Sequence, residues 1–304
     1  MTDDKTTIEQ VKTKNLTALP FAVIGDLSPK LLEKHIISVD KELKKGEETL
    51  KPFGSKNQRG NWALKLEKRF EIYAEQELTI GENRYHIVLY KYFEEEPISF
   101  PFRKKDYVFA TFRTSYLVWI TNPNGGIALV DEQVSSILVL FGPIGSNERR
   151  IKIISKLLSE LNFDGTLKHI TMSQDRYQTT VDSLLTTQLQ ARLRIISGAT
   201  DSTELVIVSR DHSDVVNPLT AQGFEFEEER RDGYFSIAGS EVYSKVTNGA
   251  GLYIRKTINL LDTLTTLLGA IIPNSSLANT VRRSSIEFEL RRLFDEDSEE
   301  ISIN

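Results

Sequence analysis

Between Tyr107 and Thr121 the chain is crowded with aromatic and β-branched residues, the composition of a pleated, half-buried surface. From Leu117 to Ile120 the run is continuously apolar, as expected of a strand covered on both faces. Asn122 to Gly126 reads NPNGG, a turn signal, because proline presets φ while asparagine and glycine tolerate positive φ. Ile127 to Val130 reads as the returning strand. Asp131 then stands as a helix N-cap, and Val134, Ile137, Leu138 and Phe141 recur at helical spacing until Gly142-Pro143 stops the pattern. The unit expected here is a hairpin followed by an amphipathic helix.

Upstream, Ser28-Pro29 opens a helix with Leu31, Leu32, His35, Ile36, Val39 and Leu43 on one face and Gly46 past its end. Phe70 to Ile80 and Tyr85 to Phe93 pattern as paired strands around Gly81-Glu82-Asn83. Glu94 to Phe102 reads as a proline-bearing connection. Downstream of the hub, Ile151 to Leu161 carries a helical stripe, and Leu167 to Met172 reads as a short strand. Gln174 to Leu189 has Tyr177, Val181, Leu184, Leu185 and Leu189 at helical spacing. Arg192 to Ser197 and Glu204 to Ser209 read as strands. Arg231-Asp232-Gly233 marks a hairpin between Phe224–Glu229 and Tyr234–Ile237. Thr257 to Ile272 is a leucine-rich helix, and Leu277 to Phe294 is a further one. The pattern predicts an α+β fold: a mostly antiparallel sheet with covering helices, plus a smaller C-terminal α+β part closed by a helical pair. The expected divisions are a flexible segment 1–20, an N-terminal α+β domain 21–165, a C-terminal α+β domain 166–294 and an acidic tail 295–304.

Composition narrows the function classes. At 304 residues, 39% hydrophobic and 27% charged, the chain can bury a sizeable core. It contains no cysteine, which excludes disulfides, thiolate metal sites and a cysteine nucleophile. The opening MTDDKTTIEQVKTKN lacks the apolar core of a signal peptide, and no apolar run reaches the length of a membrane span. The location these features predict is cytoplasmic. The net charge is −5, and the tail Asp295 to Glu300 (DEDSEE) accounts for it, leaving the remainder near neutral.

Candidate chemistry is sparse. The segment from Lys51 to Arg69 holds Lys51, Lys56, Arg59, Lys65, Lys68 and Arg69 against Glu67 alone, interleaved with glycines, Phe53 and Trp62. Cations among glycines and aromatics suit phosphate contact and base stacking. The candidate nucleic-acid-binding residues are therefore Lys51, Lys56, Arg59, Trp62, Lys65, Lys68 and Arg69, with a solvated loop as the bland reading. Arg103, Lys104 and Lys105 form a smaller basic cluster. Tyr116 and Trp119 have rings that stack on bases, but their place in an aromatic strand assigns them to the core. SRDHSD, from Ser209 to Asp214, follows an apolar strand; Asp211, His212 and Asp214 would offer two carboxylates and an imidazole to a divalent ion, or simply cap the next helix. NGAGLYIRKT, from Asn248 to Thr257, lacks the glycine that a phosphate loop needs before its lysine. No cofactor is implied, and the histidines show no metal-ligand spacing. The reading is a non-enzymatic, soluble binding protein, a subunit of a nucleic-acid-associated assembly with DNA or RNA as partner. A protein partner or self-association would use residues 257–294. The alternative is a nuclease-like, metal-dependent hydrolase at Asp211, His212 and Asp214.

Overall fold

The strand Leu16–Val23 (LTALPFAV) is buried along its whole length, and the rest of the sheet is arranged around it. The structure is a computed structural model that describes residues 8, 11–13, 15–24, 34, 70–102, 105–143, 167–195, 204–207, 217, 221 and 225–278. Of the helix expected from Ser28 to Gly46 only Lys34 is described, and it is helical. The helix expected over Ile151 to Leu161, all but the first two residues of the one expected over Leu277 to Phe294, and the acidic tail lie outside the described residues.

In chain order the strands are β1 (Lys12–Thr13), β2 (Leu16–Val23), β3 (Phe70–Ile80), β4 (Asn83–Phe102), β5 (Lys105–Thr121), β6 (Ile127–Ala128), β7 (Gln133–Val134), β8 (Ser136–Pro143) and β9 (Leu167–Thr171). Helix α1 (Gln174–Leu184) leads directly into β10 (Leu185–Ile195). Then come β11 (Glu204–Ile207), β12 (Phe226–Ile237), β13 (Ser240–Thr247), β14 (Leu252–Ile254) and β15 (Ile258–Asn259). Helix α2 (Leu260–Thr266) continues through a π turn (Leu267–Ile271) and a 3-10 turn (Ile272–Asn274) to β16 (Ser276–Leu277). The result is a mixed α+β fold dominated by antiparallel sheet, as the pattern predicts.

Among the described residues, twelve strands form one sheet, ordered β11-β10-β12-β13-β14-β2-β8-β5-β4-β3, with β9 and β16 as a side branch. The fork is at β2. On one side β8 pairs with all of it, from Leu16↔Pro143 to Val23↔Ser136. On the other, β14 takes Leu16 to Ala18 and β9 takes Phe21 to Val23. Pro20 falls in the gap between these two partners, where a missing backbone donor removes no ladder bond on the forked side. Strands from both sides of residue 165 therefore join one sheet.

Four sequence expectations change. Leu16 to Pro20, expected to be flexible, begin the central strand, because their apolar side chains are worth more buried than solvated. The helix expected after Asp131 is instead β8. Ile137, Leu138, Val139 and Phe141 are all buried, so the run is covered on two faces, and a short apolar run fits helical spacing and a buried strand equally well. Helix α1 stops at Leu184 because the residues after it pair with β12, beginning at Leu185↔Phe235. The expected hairpin at Arg231-Asp232-Gly233 is the middle of the unbroken strand β12; the turn lies at Ala238-Gly239, where φ is 46° and 81°. Gly233 is required there for a different reason: a Cβ would stand 2.4 Å from the Thr187 carbonyl oxygen.

The helical segment closes the core. Leu260, Leu264, Leu267, Leu268, Ile271 and Ile272 are buried among the sheet's apolar side chains. Asn259 caps α2, its side chain accepting from the Leu261 amide at 3.0 Å.

His169, on β9 at the fork, is buried with its ring edge-on to Phe21 at 5.7 Å. Burial lowers its pKa from 6.5 to about 4. Between those values the unfolded chain takes up a proton that the folded chain refuses. Stability is therefore whole above about pH 6.5 and declines as the pH falls toward about 4. In urea titrations at pH 7.5 and 4.5, the native chain should lose ~2–3 kcal/mol more than His169→Leu over that interval. Equal losses would show that the imidazole is not the titrating group.

Candidate functional site

The basic-segment candidates Lys51, Lys56, Arg59, Trp62, Lys65, Lys68 and Arg69 lie outside the described residues, as do Asp211, His212 and Asp214. Among the described residues, no group of three or more His, Asp or Glu side chains is set to hold a metal, and no helix is long and apolar enough to cross a membrane. Trp119 is buried and Tyr116 half-buried. The glycine-bearing turn after Thr247 leads into the buried strand β14, not into a helix that would receive a phosphate. The apolar face of the helix after Thr257 is spent on the chain's own core.

Two features remain. The first is a set of charges on β12 that the sequence presents as a solvated acidic face and a turn. Glu228, Glu229, Arg230, Arg231 and Asp232 are all buried. A bulge organises them. Arg192 of β10 faces Arg230, but Leu193 faces Glu228, so Glu229 is an extra residue on β12. That extra residue shifts the alternation and brings Glu228 onto the face of Arg231. The two make a two-pronged ion pair, Nε and Nη2 of Arg231 donating to the two carboxylate oxygens. Arg231 also donates to Gln188 at 2.9 Å and to Gln178 of α1 at 3.1 Å. Burial works against the guanidinium charge, but the hydrogen bond and charge of Glu228 outweigh it and hold the Arg231 pKa above its ordinary value. Nearby, the Tyr177 hydroxyl donates to the Val246 carbonyl at 3.0 Å. Burial, and then the Glu228 charge, raise that phenol well above its ordinary value.

On the opposite face Arg230 donates to Asp232 at 2.7 and 3.2 Å, and Lys245, directly across on β13, approaches Asp232 at 3.6 Å. Arg194 pairs with Glu227 and lies 3.5 Å from Glu229. Among the described residues, Arg194, Arg230, Arg231 and Lys245 thus pair with Glu227, Glu228, Glu229 and Asp232, and the exposed Asp182 of α1 also lies 3.8 Å from Arg231. Buried charges compensated by their neighbours are the chemistry of a structural pin. The signal in the sequence was the run EEERRD, in which acids flank two bases closely enough to compensate one another.

The second feature is the β4–β5 hairpin. Among the described residues, which begin at Phe70 on β3 and end at Pro143 on β8, β3 pairs with β4 as far as Tyr92 and β8 pairs with β5 from Tyr116 onward. Beyond these points β4 and β5 continue to pair with each other, from Phe93↔Thr114 to Phe102↔Lys105. Among the described residues no third strand joins this distal half. Two residues, Arg103 and Lys104, lie between the paired ends. The expected connection Glu94 to Phe102 is therefore ladder, prolines included. A strand paired along its length tolerates proline only where the absent N–H would point away from the partner. Pro97 and Pro101, both in register with β5, share that outward edge and deny it donors for a third strand. At the base, Lys91 lies over the Tyr73 ring at 4.9 Å, and Tyr73 packs against Tyr116 at 6.2 Å.

If the Arg231–Glu228 pair is the pin described, Arg231→Met should cost ~3–5 kcal/mol by leaving a buried carboxylate unpaired, while the double change with Glu228→Leu should restore most of that. A denaturation double-mutant cycle reads the coupling, and additive losses would remove it. Comparison of the chain with protein-family models, with curated proteins and with solved structures finds no match.

Proposed function

We propose that this chain is a non-enzymatic binding protein, a subunit of a nucleic-acid-associated assembly that contacts the phosphate backbone through Lys51–Arg69. The observation that carries the reading is where the chain attaches its two basic clusters to the antiparallel β3–β4–β5 strands. The basic segment ends at Arg69, one residue before Phe70, and Phe70 pairs with Tyr92 of β4. Chain continuity thus ties the end of the basic segment to the β3–β4 pair. The other basic cluster, Arg103 to Lys105, follows directly on Phe102, the last residue of β4, in the sequence. A near-neutral body with cations gathered at two linked places suits backbone contact better than bulk charge would suggest. The charges of β12, by contrast, are buried and paired with one another. The setting this reading implies is cytoplasmic.

Anisotropy titrations against labelled DNA and RNA, at low and physiological salt, test this reading. Affinity should fall as salt rises, and charge reversal at Lys56, Arg59 and Lys68 should weaken binding and reduce the slope of log K against log salt by ~3, since each lost contact to duplex DNA removes about 0.9. Unchanged binding in that variant would sink the assignment to Lys51–Arg69. Strand cleavage appearing only with magnesium, and lost in Asp211→Ala, would transfer the function to the hydrolase alternative at Asp211, His212 and Asp214.

A further inference from the structure

We infer that Asn124 is a site of spontaneous covalent modification, a succinimide-forming asparagine that becomes a carboxylate in the turn after β5. Among the described residues, three asparagines precede a glycine or serine, the small neighbours that let a backbone nitrogen reach a side-chain amide: Asn124-Gly125, Asn248-Gly249 and Asn274-Ser275. The fold separates them. Asn124 and Gly125 are both exposed, and a Cβ added at Gly125 would meet nothing within 4 Å. Of Asn124, only the backbone N–H is engaged among the described residues, donating to Asn122 Oδ1 at 2.9 Å. The attacking nitrogen, that of Gly125, donates to the Asn122 carbonyl at 3.3 Å, longer than a well-formed amide hydrogen bond. An exposed turn held by so little opens at small cost. Asn122 itself is barred, because Pro123 has no N–H to give up.

The other two steps are pinned. Asn248 donates through Nδ2 to Glu227 at 3.3 Å and through its backbone N–H to the Glu229 carbonyl at 3.0 Å. Its own carbonyl accepts the Met172 N–H at 2.8 Å, and Gly249 is buried. Asn274 Nδ2 donates to the Ala270 carbonyl at 2.7 Å. The nitrogen that would attack it, that of the buried Ser275, donates to the Ile272 carbonyl at 3.0 Å.

In the reaction the Gly125 nitrogen gives its proton to hydroxide and bonds to Asn124 Cγ. The Cγ–Nδ2 bond breaks and ammonia leaves. Water then opens the five-membered imide at either carbonyl, and nothing is oxidised or reduced. One product is an aspartyl residue, which adds a negative charge facing solvent. The other is an isoaspartyl residue, whose main chain runs through the side-chain carbon and is one atom longer. That length arrives just before Gly126, where a Cβ would stand 2.9 Å from Gln133 Cβ of β7. Ile127, Leu129 and Val134 around that contact are buried, and the Val130 N–H donates to the Ser275 carbonyl of the closing helical segment at 2.9 Å. The isoaspartyl form therefore disturbs the core, and the aspartyl form does not.

The test incubates the full chain at mildly alkaline pH and physiological temperature and follows it by peptide mapping, with electron-transfer fragmentation to tell the two products apart. The peptide bearing Asn124 should gain one mass unit, isoaspartyl in excess, roughly tenfold or more faster than the peptide bearing Asn248. The Asn274 peptide should stay unchanged. In denaturant Asn124 and Asn248 should react alike. The aged native chain should melt a few degrees below the fresh one. Fresh N124D should not, nor should aged N124Q, whose longer side chain closes a ring far more slowly. Equal rates at Asn124 and Asn248 in the native chain overturn the assignment, as does an Asn124 that reacts only in denaturant. An aged chain with an unchanged midpoint, or a fresh N124D that melts as low as the aged chain, overturns the role given to the longer backbone.

Discussion

A strand buried on every side has no water to satisfy its backbone, so each N–H and C=O must find a partner in the protein or cost free energy comparable to a lost hydrogen bond. β2 is in that position from Leu16 to Val23. β8 meets the demand on one side. On the other, two short strands divide it, β14 near the start and β9 near the end, and Pro20 fills the interval. This division joins β10 to β14 with β3 to β5 in one sheet, and it seats β9 and β16 beside the closing helical segment. His169 occupies the same junction, and burial there disfavours a charged imidazole, because the charge would lose its water.

The polar content of the interior is concentrated on β12, and the bulge at Glu229 decides how it is used. With strict alternation, Glu228 and Arg231 would lie on opposite faces, each a buried charge without its partner. The extra residue converts that liability into a two-pronged pair braced by Gln178 and Gln188 from two different elements. Such a pair adds little net stability over a hydrophobic substitute, but it penalises any register of β10 against β12 that separates its members. The same compensation withdraws these residues from ligand chemistry.

How much of this was legible in the chain differs by element. The strands Phe70–Ile80 and Tyr85–Phe93 and the turn at Gly81 follow from alternation and turn residues alone, and Tyr177 and Val181 mark α1 by their spacing. β8 was misread because Ile137, Leu138 and Phe141 satisfy a helical period by accident when every residue of a run is apolar. β12 was misread because charges in sequence look solvated; nothing local reveals that α1 and β13 will close over them. The stretch Glu94–Phe102 was read as a connection because prolines break strands unless they sit on an edge, and an edge exists only once the strands are ordered.

The sequence by itself determined the class of the protein: an α+β chain with a strand-forming majority and two basic clusters. Composition and short-range pattern carry that information because side-chain burial and turn geometry act over a few residues. Only the tertiary structure decided that β2 would be forked, that a bulge would pair Glu228 with Arg231, and that the proline-bearing stretch Glu94–Phe102 would pair along β5. Those outcomes depend on which strands lie side by side, and hydrogen bonding between backbones is blind to the side chains that a linear reading sees.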